Sequence, residues 1–465
     1  IIGDGAPAGR SSKDYQTVVG TTFNQLLNYT KQFGRHNFDV LAGHESYKET
    51  QDFLSGTRQG QVVDNNYELV NFTTTTNLSS QFDNRRIESY FANVKYDLDG
   101  KYFVTLGGRT DGNSRFSPDF RWGRFWSTSA AWVVSKENFM EKLRFVNFLK
   151  LRASYGTTGN EAGIGFYAWQ TLYNLGLNNG LTPGVIASTA LGNDSLSWEK
   201  NKQFDIGVDF ELFGNRLRGQ VEYFNRVSED LLFSVPLPVS SGFSSVFKNV
   251  GSMFNRGFEI QLDGDVIKTR NFTWTLGINA TTFKNQITRL PQQEIISGTK
   301  KLMAGKSIND YWLREWYGVD PNDGTALFKA ASGTGAGVRI IKGTDTVSTS
   351  VNNARFNYVG SAIPDWYGAI NTSIRYKSLT LSALANWQIG GLTYDDTYAA
   401  FMHSGTYGAS LHTDMLRRWQ KPGDITNVPR MDNAQTTIFG ATSSRWLTDA
   451  SFLNIQNISL AWDST

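Results

Sequence analysis

The chain of 465 residues contains no cysteine, which excludes disulfide frameworks, thiolate metal sites and cysteine nucleophiles. It also lacks any window near the ~20 continuous apolar residues that a membrane-spanning helix requires. Neither sign of charge is in excess, because 45 basic and 42 acidic residues give a net charge of +3, so there is no basic footprint for nucleic acid. No signal peptide precedes Ile1 and no terminal signature follows Trp462, so we expect an internal fragment of a longer protein.

The composition suits a β-sheet with one face towards lipid and one face towards water. Charged residues make up 19% of the chain, below the roughly 25% of soluble domains. Aromatic residues reach 14%, glycines number 45, and the mean hydropathy is −0.36. A sheet whose residues face lipid and water alternately averages to this mild polarity.

Apolar and polar residues alternate with a period of two, which is typical of β-strands. In residues 90–96 the apolar set is Tyr90, Ala92, Val94 and Tyr96, with Asn93 and Lys95 between them. The same alternation recurs in residues 101–109, 203–212, 217–223, 258–263, 272–278 and 370–387. We predict roughly a dozen strands, all antiparallel, many of them near the ~9–11 residues that cross a bilayer.

The register of one hairpin follows from matching its two faces. A two-residue loop at Asp99 and Gly100 would pair Asp97 with Tyr102 and so mix polar with apolar side chains. A three-residue loop over residues 98–100, with Gly100 in the left-handed conformation, pairs Tyr96 with Tyr102 and Asp97 with Lys101. The sequence therefore predicts the three-residue loop.

Connections of two very different lengths alternate along the chain. Short turns are predicted near residues 32–34, 98–100, 213–215, 268–270 and 377–378. Long segments are predicted near residues 51–84, 158–197, 228–252, 289–365 and 390–445. Short periplasmic turns and long extracellular loops characterise outer-membrane barrels, so the predicted fold is all-β, a transmembrane antiparallel β-barrel. Beside the short turns we expect an aromatic girdle that includes Tyr96, Tyr102 and Tyr376.

A series of motifs follows the chain in a fixed order over about residues 85–465. The most recognisable stretch, residues 109–135, contains Arg-Thr-Asp-Gly-Asn-Ser-Arg-Phe, then Arg-Trp-Gly-Arg-Phe and Ser-Ala-Ala-Trp. In order and spacing these motifs resemble the SusC/RagA family of TonB-linked outer-membrane proteins. Two departures affect strand packing only, Phe125-Trp126-Ser127 for the usual Phe-Pro-Ser and Ala461-Trp462 for Gly-Tyr. The further matching segments are Leu149–Asn160, Trp198–Gln203 with Gly207, Asp209 and Phe210, Val250–Met253 leading to Asn255–Glu259, Pro364–Gly368 and Asp449–Leu460.

The resemblance implies a barrel of about 22 strands that is filled by an N-terminal plug. On this interpretation residues 1–465 form one partial barrel domain, roughly the second half of the wall, and the plug, the TonB box and the last strands are absent from the sequence. The resemblance also implies an outer-membrane location and contact with lipid. A SusD-like surface lipoprotein would form the lid, and TonB-ExbB-ExbD would supply energy through the absent N-terminal region.

Several residues are candidates for ligand contact or for lining the lumen. Aromatic rings with polar tips suit stacking on sugars or docking of peptides, although they also suit packing within a loop's own core or against a lid. These substrate or lid candidates are Tyr167, Trp169, Tyr311, Trp312, Trp316 and Tyr317. Alternation along the strands places on the lumen side Arg109, Arg152, Asp209, Glu222 and Glu259.

Motifs for chemistry are weak. The four histidines, His36, His44, His403 and His412, suit structural or loop roles better than metal ligation. The segment Asp320–Gly324 resembles a calcium loop, but its glycine is one position too early, so a turn is the preferred interpretation and calcium an open alternative. Glycines in residues 333–337 predict a loop, and residues 135–143 predict a short helix with Ser135 as N-cap. No cofactor is expected.

The leading hypothesis is TonB-dependent import of oligosaccharides, peptides or similar large nutrients, without catalysis. One rival is a passive porin or a structural barrel subunit of an envelope complex, which would lack a TonB box upstream. A second rival is a soluble surface β-sandwich that binds glycans or acts as an adhesin, which would be soluble without detergent.

Overall fold

The computed structural model describes residues 9–463 except positions 189, 336, 342, 344, 406, 407, 433 and 435. Ile1, Ser464 and Thr465 therefore lie outside the described residues. These are the chain ends on which the expectation of a fragment rests. The chain divides into two compact units. Unit 1 comprises Ile1–Asp209 and Phe224–Met253, and unit 2 comprises Phe210–Tyr223 and Phe254–Thr465.

Unit 1 is built on long strands that follow one another in the sheet in chain order. The pairs from β1–β2 to β5–β6 are antiparallel. The boundary between the units falls within β7 and β8. The bounds are β1 Arg10–Phe33, β2 His36–Gln61, β3 Phe72–Leu98, β4 Tyr102–Asn113, β5 Trp122–Val133, β6 Val146–Asn160, β7 Glu199–Leu212 and β8 Leu217–Glu229.

Unit 2 continues the pattern of hairpins with five further long strands. The pairs β10–β11, β11–β12 and β12–β13 are antiparallel. With the eight strands above, thirteen long strands share one strand order, where the sequence predicted roughly a dozen. Their bounds are β9 Ser252–Lys268, β10 Phe272–Arg289, β11 Trp366–Tyr376, β12 Leu379–Ile389 and β13 Phe452–Trp462.

The turn between β3 and β4 has the predicted length but a different position. It contains Asp99, Gly100 and Lys101, and Leu98 lies opposite Tyr102. Asp99 and Gly100 both have positive φ angles, 58° and 60°, and the Lys101 N–H donates to the Leu98 carbonyl over 2.9 Å. Because aspartate tolerates the left-handed conformation, the turn begins one residue later than predicted.

The predicted partners across this hairpin are therefore wrong, while the predicted faces are confirmed. Tyr96 lies opposite Val104 rather than Tyr102, and Asp97 lies opposite Phe103 rather than Lys101. The shift moves each partner by two positions. Since side chains alternate with a period of two, a shift of two leaves every side chain on its predicted face.

Residues 51–84 are mostly strand, so the prediction of a long loop there is wrong. β2 and β3 stay paired from His36↔Leu98 to Gln61↔Phe72, and only residues 62–71 connect them, including the 3-10 helix Leu69–Asn71. Threonine, serine and glutamine are abundant here and leave no apolar alternation to read. Backbone hydrogen bonds to the neighbouring strand stabilise these outer parts of β2 and β3 instead.

The short helix predicted over residues 135–143 is present only as 3-10 structure, and its predicted N-cap is wrong. The segment between β5 and β6 forms two 3-10 helices, Val134–Lys136 and Asn138–Lys142, and Ser135 is the N-cap of neither. Glu137 lies between them and accepts hydrogen bonds from Tyr102 of β4, from Trp132 of β5 and from Lys101 of the β3–β4 turn. These contacts hold the chain in a tight connection.

The remaining short turns agree with the sequence to within one or two residues. β1 and β2 close at Phe33↔His36, and β11 and β12 close at Tyr376↔Leu379, with Lys377 at a φ of 52°. Residues 213–216 join β7 to β8, and residues 269–271 join β9 to β10.

The long connections of unit 1 carry small strands and one buried cluster. Phe116, Ile164, Leu196 and Trp198 form that cluster, and Leu232 packs against it. It joins the β4–β5 connection to the connections that follow β6 and β8. The elements are Tyr173–Asn179, Thr182–Ala187, Ala190–Leu191, Leu232–Pro236 and Ser245–Asn249, with the 3-10 helix Val239–Ser241.

The long connections of unit 2 form a small folded layer of their own. One buried cluster contains Met402, Met415, Val428, Phe439 and Trp446, and another contains Ala326, Phe328 and Ala354. The helices are α1 Asp396–Phe401 and α2 Thr436–Phe439, with 3-10 helices Val351–Asn353, Thr413–Arg417 and Ser444–Trp446. The strands are Glu294–Ser297, Lys300–Met303, Asp310–Arg314, Trp316–Val319, Ala326–Lys329, Val338–Ile341, Asp345–Ser348, Phe356–Ser361, Leu392–Tyr394 and Leu447–Asp449.

Helix α1 begins where the Asp395 side chain accepts a hydrogen bond from the Tyr398 N–H over 2.7 Å. A carboxylate at this position satisfies one of the free N–H groups of the first turn. Within the described residues, every helix is too short or too polar to pass through a membrane.

Candidate functional site

Each long strand exposes its large apolar side chains on one side, called here the apolar face. Ile206 of β7 is 49% exposed and Phe258 of β9 is 48% exposed, although both are large hydrophobic residues. No second layer of protein covers them within the described chain. Water would make this exposure costly at about 25 cal/mol per Å², whereas contact with hydrocarbon would not.

Aromatic rings form two rows on the apolar face of unit 1. Near the short turns Tyr96 packs on Phe38 with centroids 5.0 Å apart, and Tyr102 stacks on Trp132 at 6.5 Å. Nearer the long connections, Tyr90 stacks on Trp122 at 6.4 Å and Trp126 packs on Tyr155 at 5.5 Å. Such rows mark the two interfaces of a membrane. In unit 2, Tyr376 is exposed beside its short turn, and its place in a girdle stays a prediction.

The opposite side, the polar face, carries the predicted lumen residue Arg109. Its guanidinium donates to Asp111 over 2.6 Å, to Ser89 over 3.0 Å and to Glu45 over 3.3 Å, and it lies 5.3 Å from the Phe91 ring. Three neighbouring strands thus contribute to one charged cluster.

A second charged cluster joins β6 to β7. Arg152 donates to Asp209 over 3.0 Å, and Lys150 lies 3.9 Å from the same carboxylate. Asp205, four residues earlier on the same strand face, accepts hydrogen bonds from Ser154 over 3.2 Å and from Gln203. Arg152 and Asp209 therefore lie on the polar face, where alternation predicted them.

Glu222 and Glu259 lie on β8 and β9 in unit 2. Tyr223 and Phe258 pack together with centroids 5.3 Å apart, so these two rings share the apolar face. By alternation their neighbours Glu222 and Glu259 point to the other side, and Gln220 bonds Gln261 there over 3.3 Å. All five residues predicted to face the lumen carry charged side chains. Their contact with a solute stays a prediction.

A polar groove of about 660 Å³ lies on the polar face of unit 1. Its volume falls in the range of ~300–1,000 Å³ that is usual for ligand sites. Small hydroxyl and amide side chains line it between the two charged clusters, so it offers many hydrogen-bond donors and acceptors and both signs of charge. The lining residues include Asn93, Thr105, Arg109, Asp111, Ser127, Ser129, Ser154, Gln203 and Asp205.

A third charged cluster, called here the outer charged cluster, lies at the end of the polar face nearer the long connections, and the sequence did not predict it. Arg85 pairs with Glu161 and, at 3.8 Å, with Glu49. Arg115 donates to the Glu161 carbonyl over 3.3 Å and covers the Phe166 ring. Burial lowers the pKa of Arg115, and the nearby Arg85 lowers it further. No pattern in the sequence points to this cluster, because its members are up to 112 positions apart, from Glu49 to Glu161.

Tyr167 and Trp169 lie in the connection after β6 and are half-buried. The Tyr167 hydroxyl accepts a hydrogen bond from the Asn84 N–H of β3 over 3.3 Å. The ring of Tyr167 therefore lies near the outer charged cluster, since Arg85 is the next residue of the same strand. Contact of either ring with a ligand stays a prediction.

The aromatic residues Tyr311 and Trp312 lie on opposite sides of one short strand. Tyr311 is 7% exposed, accepts a hydrogen bond from the Tyr394 N–H over 3.3 Å and packs under the Lys300 amine at 3.2 Å. Trp312 is half-buried, stacks on Phe356 at 6.2 Å and lies under the Lys301 amine at 4.3 Å. Packing favours a structural role for Tyr311, and Trp312 keeps the better access to a ligand.

Trp316 and Tyr317 are tied into the same folded layer. Trp316 packs edge-on against Phe328 at 5.4 Å, and the Tyr317 hydroxyl donates to Asp345 over 2.8 Å. The Arg445 guanidinium lies 4.9 Å from the Trp316 ring. Burial among this ring, Phe439 and Trp446 lowers the pKa of Arg445 to about 10. Contact of Trp316 or Tyr317 with a ligand or lid stays a prediction.

The segment Asp320–Gly324 forms the predicted turn. The Gly324 N–H donates to the Asp320 carbonyl over 2.8 Å, and Gly324 has a φ of 71°. Arg339 binds both carboxylates of the segment, Asp320 at 2.6 Å and Asp323 at 2.8 Å. Both carboxylates of the turn are therefore paired with a guanidinium, and calcium at this turn stays an untested alternative.

The histidines make local contacts. His36 bonds the Tyr96 hydroxyl over 2.7 Å, His44 bonds Glu88 over 2.5 Å, and His412 accepts from the Asp414 N–H over 3.1 Å. Across the described part of the chain, no three His, Asp or Glu side chains cluster as metal ligands would. The glycines of residues 333–337 precede the strand Val338–Ile341 rather than a helix.

Comparison with known proteins places this arrangement among transport proteins. A family model described as TonB dependent receptor-like, β-barrel, matches residues 3–458. The TonB-dependent receptor P3 of Formosa agariphila is 29% identical over 487 residues, which cover 100% of this chain and 47% of that protein. The TonB-dependent receptor SusC of Bacteroides thetaiotaomicron is 31% identical over 283 residues, 59% of this chain and 28% of that protein.

The fold has a similar counterpart among solved structures. The RagAB peptide transporter superimposes with a TM-score of 0.81 at 25% identity, covering 99% of this chain and 50% of that chain. The chain thus spans about half the length of the curated relatives and of the transporter chain that it matches. These relatives are receptors and transporters, not enzymes.

Proposed function

The chain belongs to the TonB-dependent receptor β-barrel family, in its SusC/RagA branch, and on this basis we propose that it forms part of an energised importer in the bacterial outer membrane. Its cargo would be nutrients too large for passive pores, peptides or oligosaccharides. The long strands would contribute wall, and their polar face would contribute the lining of the transport path.

The observation that carries the proposal is the two-sidedness of the strands. Apolar side chains such as Ile206 and Phe258 are exposed on one face. The other face bears ion pairs such as Arg152–Asp209 and the polar groove. A soluble protein would bury the first face, whereas a passive structural wall would have no need of a hydrogen-bonding groove on the second.

The polar groove supports a hydrophilic cargo. Serine, threonine and glutamine side chains offer both donors and acceptors, which suits peptide amides and sugar hydroxyls alike. Arg109 and Asp205 add opposite charges about the groove, which would suit the ends of a peptide. The solved relative is a peptide transporter, and this favours peptides as the first class to test.

Two partners follow from the family. We propose a SusD-like surface lipoprotein at the long connections, where Trp312 and Tyr317 retain partial exposure. Energy would come from TonB through a part of the complete receptor outside this chain.

The test is uptake by cells that carry the complete receptor. Labelled casein peptides and starch oligosaccharides are supplied to the wild type, to a strain without the receptor and to a strain without TonB. The proposal expects both deletions to abolish uptake of the same class of cargo, measured by mass spectrometry of washed cells.

Two results would overturn it. Uptake that needs the receptor but not TonB would identify a passive porin instead. Recovery of the receptor in the soluble fraction without detergent would identify a surface-binding protein and would remove the importer altogether.

A further inference from the structure

The apolar face of unit 1 contains a groove, called here the lipid-side groove, of about 870 Å³. Its floor consists of Ala42, Ala92 and Gly108, which are direct partners across β2, β3 and β4. On either side the next partners are bulky, Leu27 on β1 and Trp126 on β5. The groove therefore follows from three small side chains in a row between large ones.

The groove is open space rather than a close packing of backbone. A Cβ atom added at Gly108 would meet nothing within 4 Å. Its volume lies in the range of ~300–1,000 Å³ that is typical of ligand sites. A flexible apolar chain fits such a depression better than the flat side of a neighbouring strand would.

Unpaired cations lie at the end of the groove that is nearer the long connections. Arg124 belongs to the row of partners Gln25, His44, Tyr90 and Thr110, which borders the groove. Further along the same face, Lys48 lies directly opposite Arg86. Over the described residues, the side chains of Lys48, Arg86 and Arg124 are exposed and have no hydrogen bond or ion pair.

This arrangement is electrostatically unfavourable without an anion. Like charges directly opposite each other destabilise a pair of strands, and Lys48 and Arg86 form such a pair. One carboxylate lies close by, Glu88, and it is bound to His44 over 2.5 Å. Three cations therefore lie near one engaged carboxylate on the face that carries the exposed apolar side chains of the sheet.

The level of the cations matches that of a lipid head group. The rings of Tyr90 and Trp122 form an aromatic row beside them, and aromatic rows lie at the head-group level of membranes. The long connections follow at this end of the strands, and in outer-membrane barrels long loops are extracellular. The small residues of the groove lie two positions further from the long connections than the row that contains Arg124, and so on its hydrocarbon side.

From these observations we infer that the lipid-side groove binds a phosphorylated glycolipid of the outer leaflet. One acyl chain lies on Ala42, Ala92 and Gly108, and phosphate groups bind Arg124, Arg86 and Lys48. The cations extend from β2 to β5 over three strand spacings, about 14 Å, and over four residues along the strands, about 13 Å, which is wider than one phosphate group and requires a larger head group. The inference rests on the proposed function, because the apolar face must meet lipid.

The test measures lipid binding to the complete receptor in detergent by native mass spectrometry. The probes are phosphorylated glycolipid purified from the host outer membrane, the same lipid after enzymatic dephosphorylation, and phosphatidylglycerol. The triple variant Lys48→Gln, Arg86→Gln, Arg124→Gln should bind the glycolipid on the order of a hundred-fold more weakly, since each cation at an anionic lipid surface contributes roughly five-fold.

Two further variants separate the groove from the cations and from general charge. Gly108→Leu adds a side chain at a position where a Cβ atom meets nothing within 4 Å, and it should weaken binding of the acylated lipid. The control variant Lys31→Gln, Arg270→Gln, Lys377→Gln removes three cations near the short turns and should bind as the wild type does. Heat-modifiable migration on gels checks that every variant is assembled.

Equal glycolipid affinity in the wild type and the triple variant would overturn the inference. Phosphatidylglycerol bound as tightly as the glycolipid would overturn the choice of occupant. A receptor that is inserted and imports its cargo but retains no glycolipid would refute this inference alone. A receptor absent from the outer membrane would refute the proposed function first.

Discussion

Arg339 stabilises the turn Asp320–Gly324, whose position the sequence predicted but whose ion pairs it did not. Its guanidinium binds Asp320, which is 2% exposed, and Asp323. Burial raises the pKa of Asp323, but the hydrogen bonds from Arg339 and Thr325 outweigh it and lower that pKa to about 2. The turn is thus stabilised by a cation that is supplied from a strand 16 residues later in the chain.

We predict that Arg339→Gln opens this part of unit 2. Removing the cation leaves the Asp320 carboxylate buried without its partner, a change that costs about 3 kcal/mol. Thermolysin should then cleave residues 315–355 on the order of a hundred-fold faster, because proteolysis follows the population of the open form.

The double variant Asp320→Asn, Arg339→Gln is the control for this prediction. It removes the charge together with its partner, so cleavage should be slower than in the single variant. Equal rates in both variants would mean that the ion pair does not hold the turn.

Lys300 provides a test by pH. Its amine lies 3.2 Å from the Tyr311 ring centroid and donates to the Asn309 carbonyl over 2.7 Å. Burial lowers the pKa of Lys300 to about 8, against the opposing effect of Asp310. The unfolded chain, with an ordinary lysine pKa of about 10.4, binds more protons between these two values, so stability should rise with pH from about 8 to about 10.4.

We predict that Lys300 reacts with acetic anhydride along a titration curve with its midpoint near pH 8, because only the neutral amine is a nucleophile. Competitive labelling followed by peptide mass spectrometry measures the curve. In urea the midpoint should return to about 10.4. A native midpoint that coincides with the one in urea would refute the prediction.

For the strands, the alternation of apolar and polar residues determines which side of the sheet each side chain faces. The conformation of the turn determines which residues of the two strands lie opposite each other. In the β3–β4 hairpin the faces of Tyr96 and Val94 were predicted correctly. Their partners were not, because Asp99 shares the left-handed conformation with Gly100. The face pattern can be read from one strand alone, whereas the register depends on where the chain reverses.

Two adjacent residues of β9 test the face assignment. We predict that Ile260→Arg destabilises the receptor by roughly 2–4 kcal/mol, the cost of a cation at the bilayer midplane. Gln261→Arg places the same charge on the polar face and should change stability little. Urea unfolding in phospholipid bilayers measures both, and Val208→Lys repeats the test on β7.

Equal tolerance of arginine at Ile260 and Gln261 would refute the assignment of faces. It would also remove the physical basis for placing the groove between Leu27 and Trp126 against lipid.

For the molecule as a whole, the polar groove should limit the passage of cargo. Ser129 lines the groove, and its neighbour Ala130 points to the apolar face. We predict that Ser129→Trp in the complete receptor reduces uptake at least ten-fold, because an indole fills part of a groove of about 660 Å³. Uptake of labelled cargo by washed cells measures the effect.

Ala130→Trp is the matched control, since it adds the same ring one residue away and on the other face. It should leave uptake near that of the wild type, and both variants should reach the outer membrane in equal amounts. Similar uptake by the two variants would mean that cargo does not pass along this side of the strands.

The parts that sequence reasoning missed share one feature. Glu49, Arg85 and Glu161 form a charged cluster, and Arg445 packs on Trp316, over separations of up to 129 residues. The outer halves of β2 and β3 were also missed, because their threonine-rich sequences carry no apolar alternation. Pairing with a neighbouring strand, rather than local pattern, makes them strands.

By itself the sequence determined that these segments are strands, that each has an apolar and a polar face, and that short and long connections alternate. These are local properties, because the direction of a side chain along a strand depends only on the parity of its position. The tertiary structure alone decided the register, the extent of β2 and β3, the folded layer that contains Tyr311 and Trp316, and the meeting of Lys48 with Arg86. Each of these depends on which distant strand becomes the neighbour, and that choice is made by the packing of the whole chain.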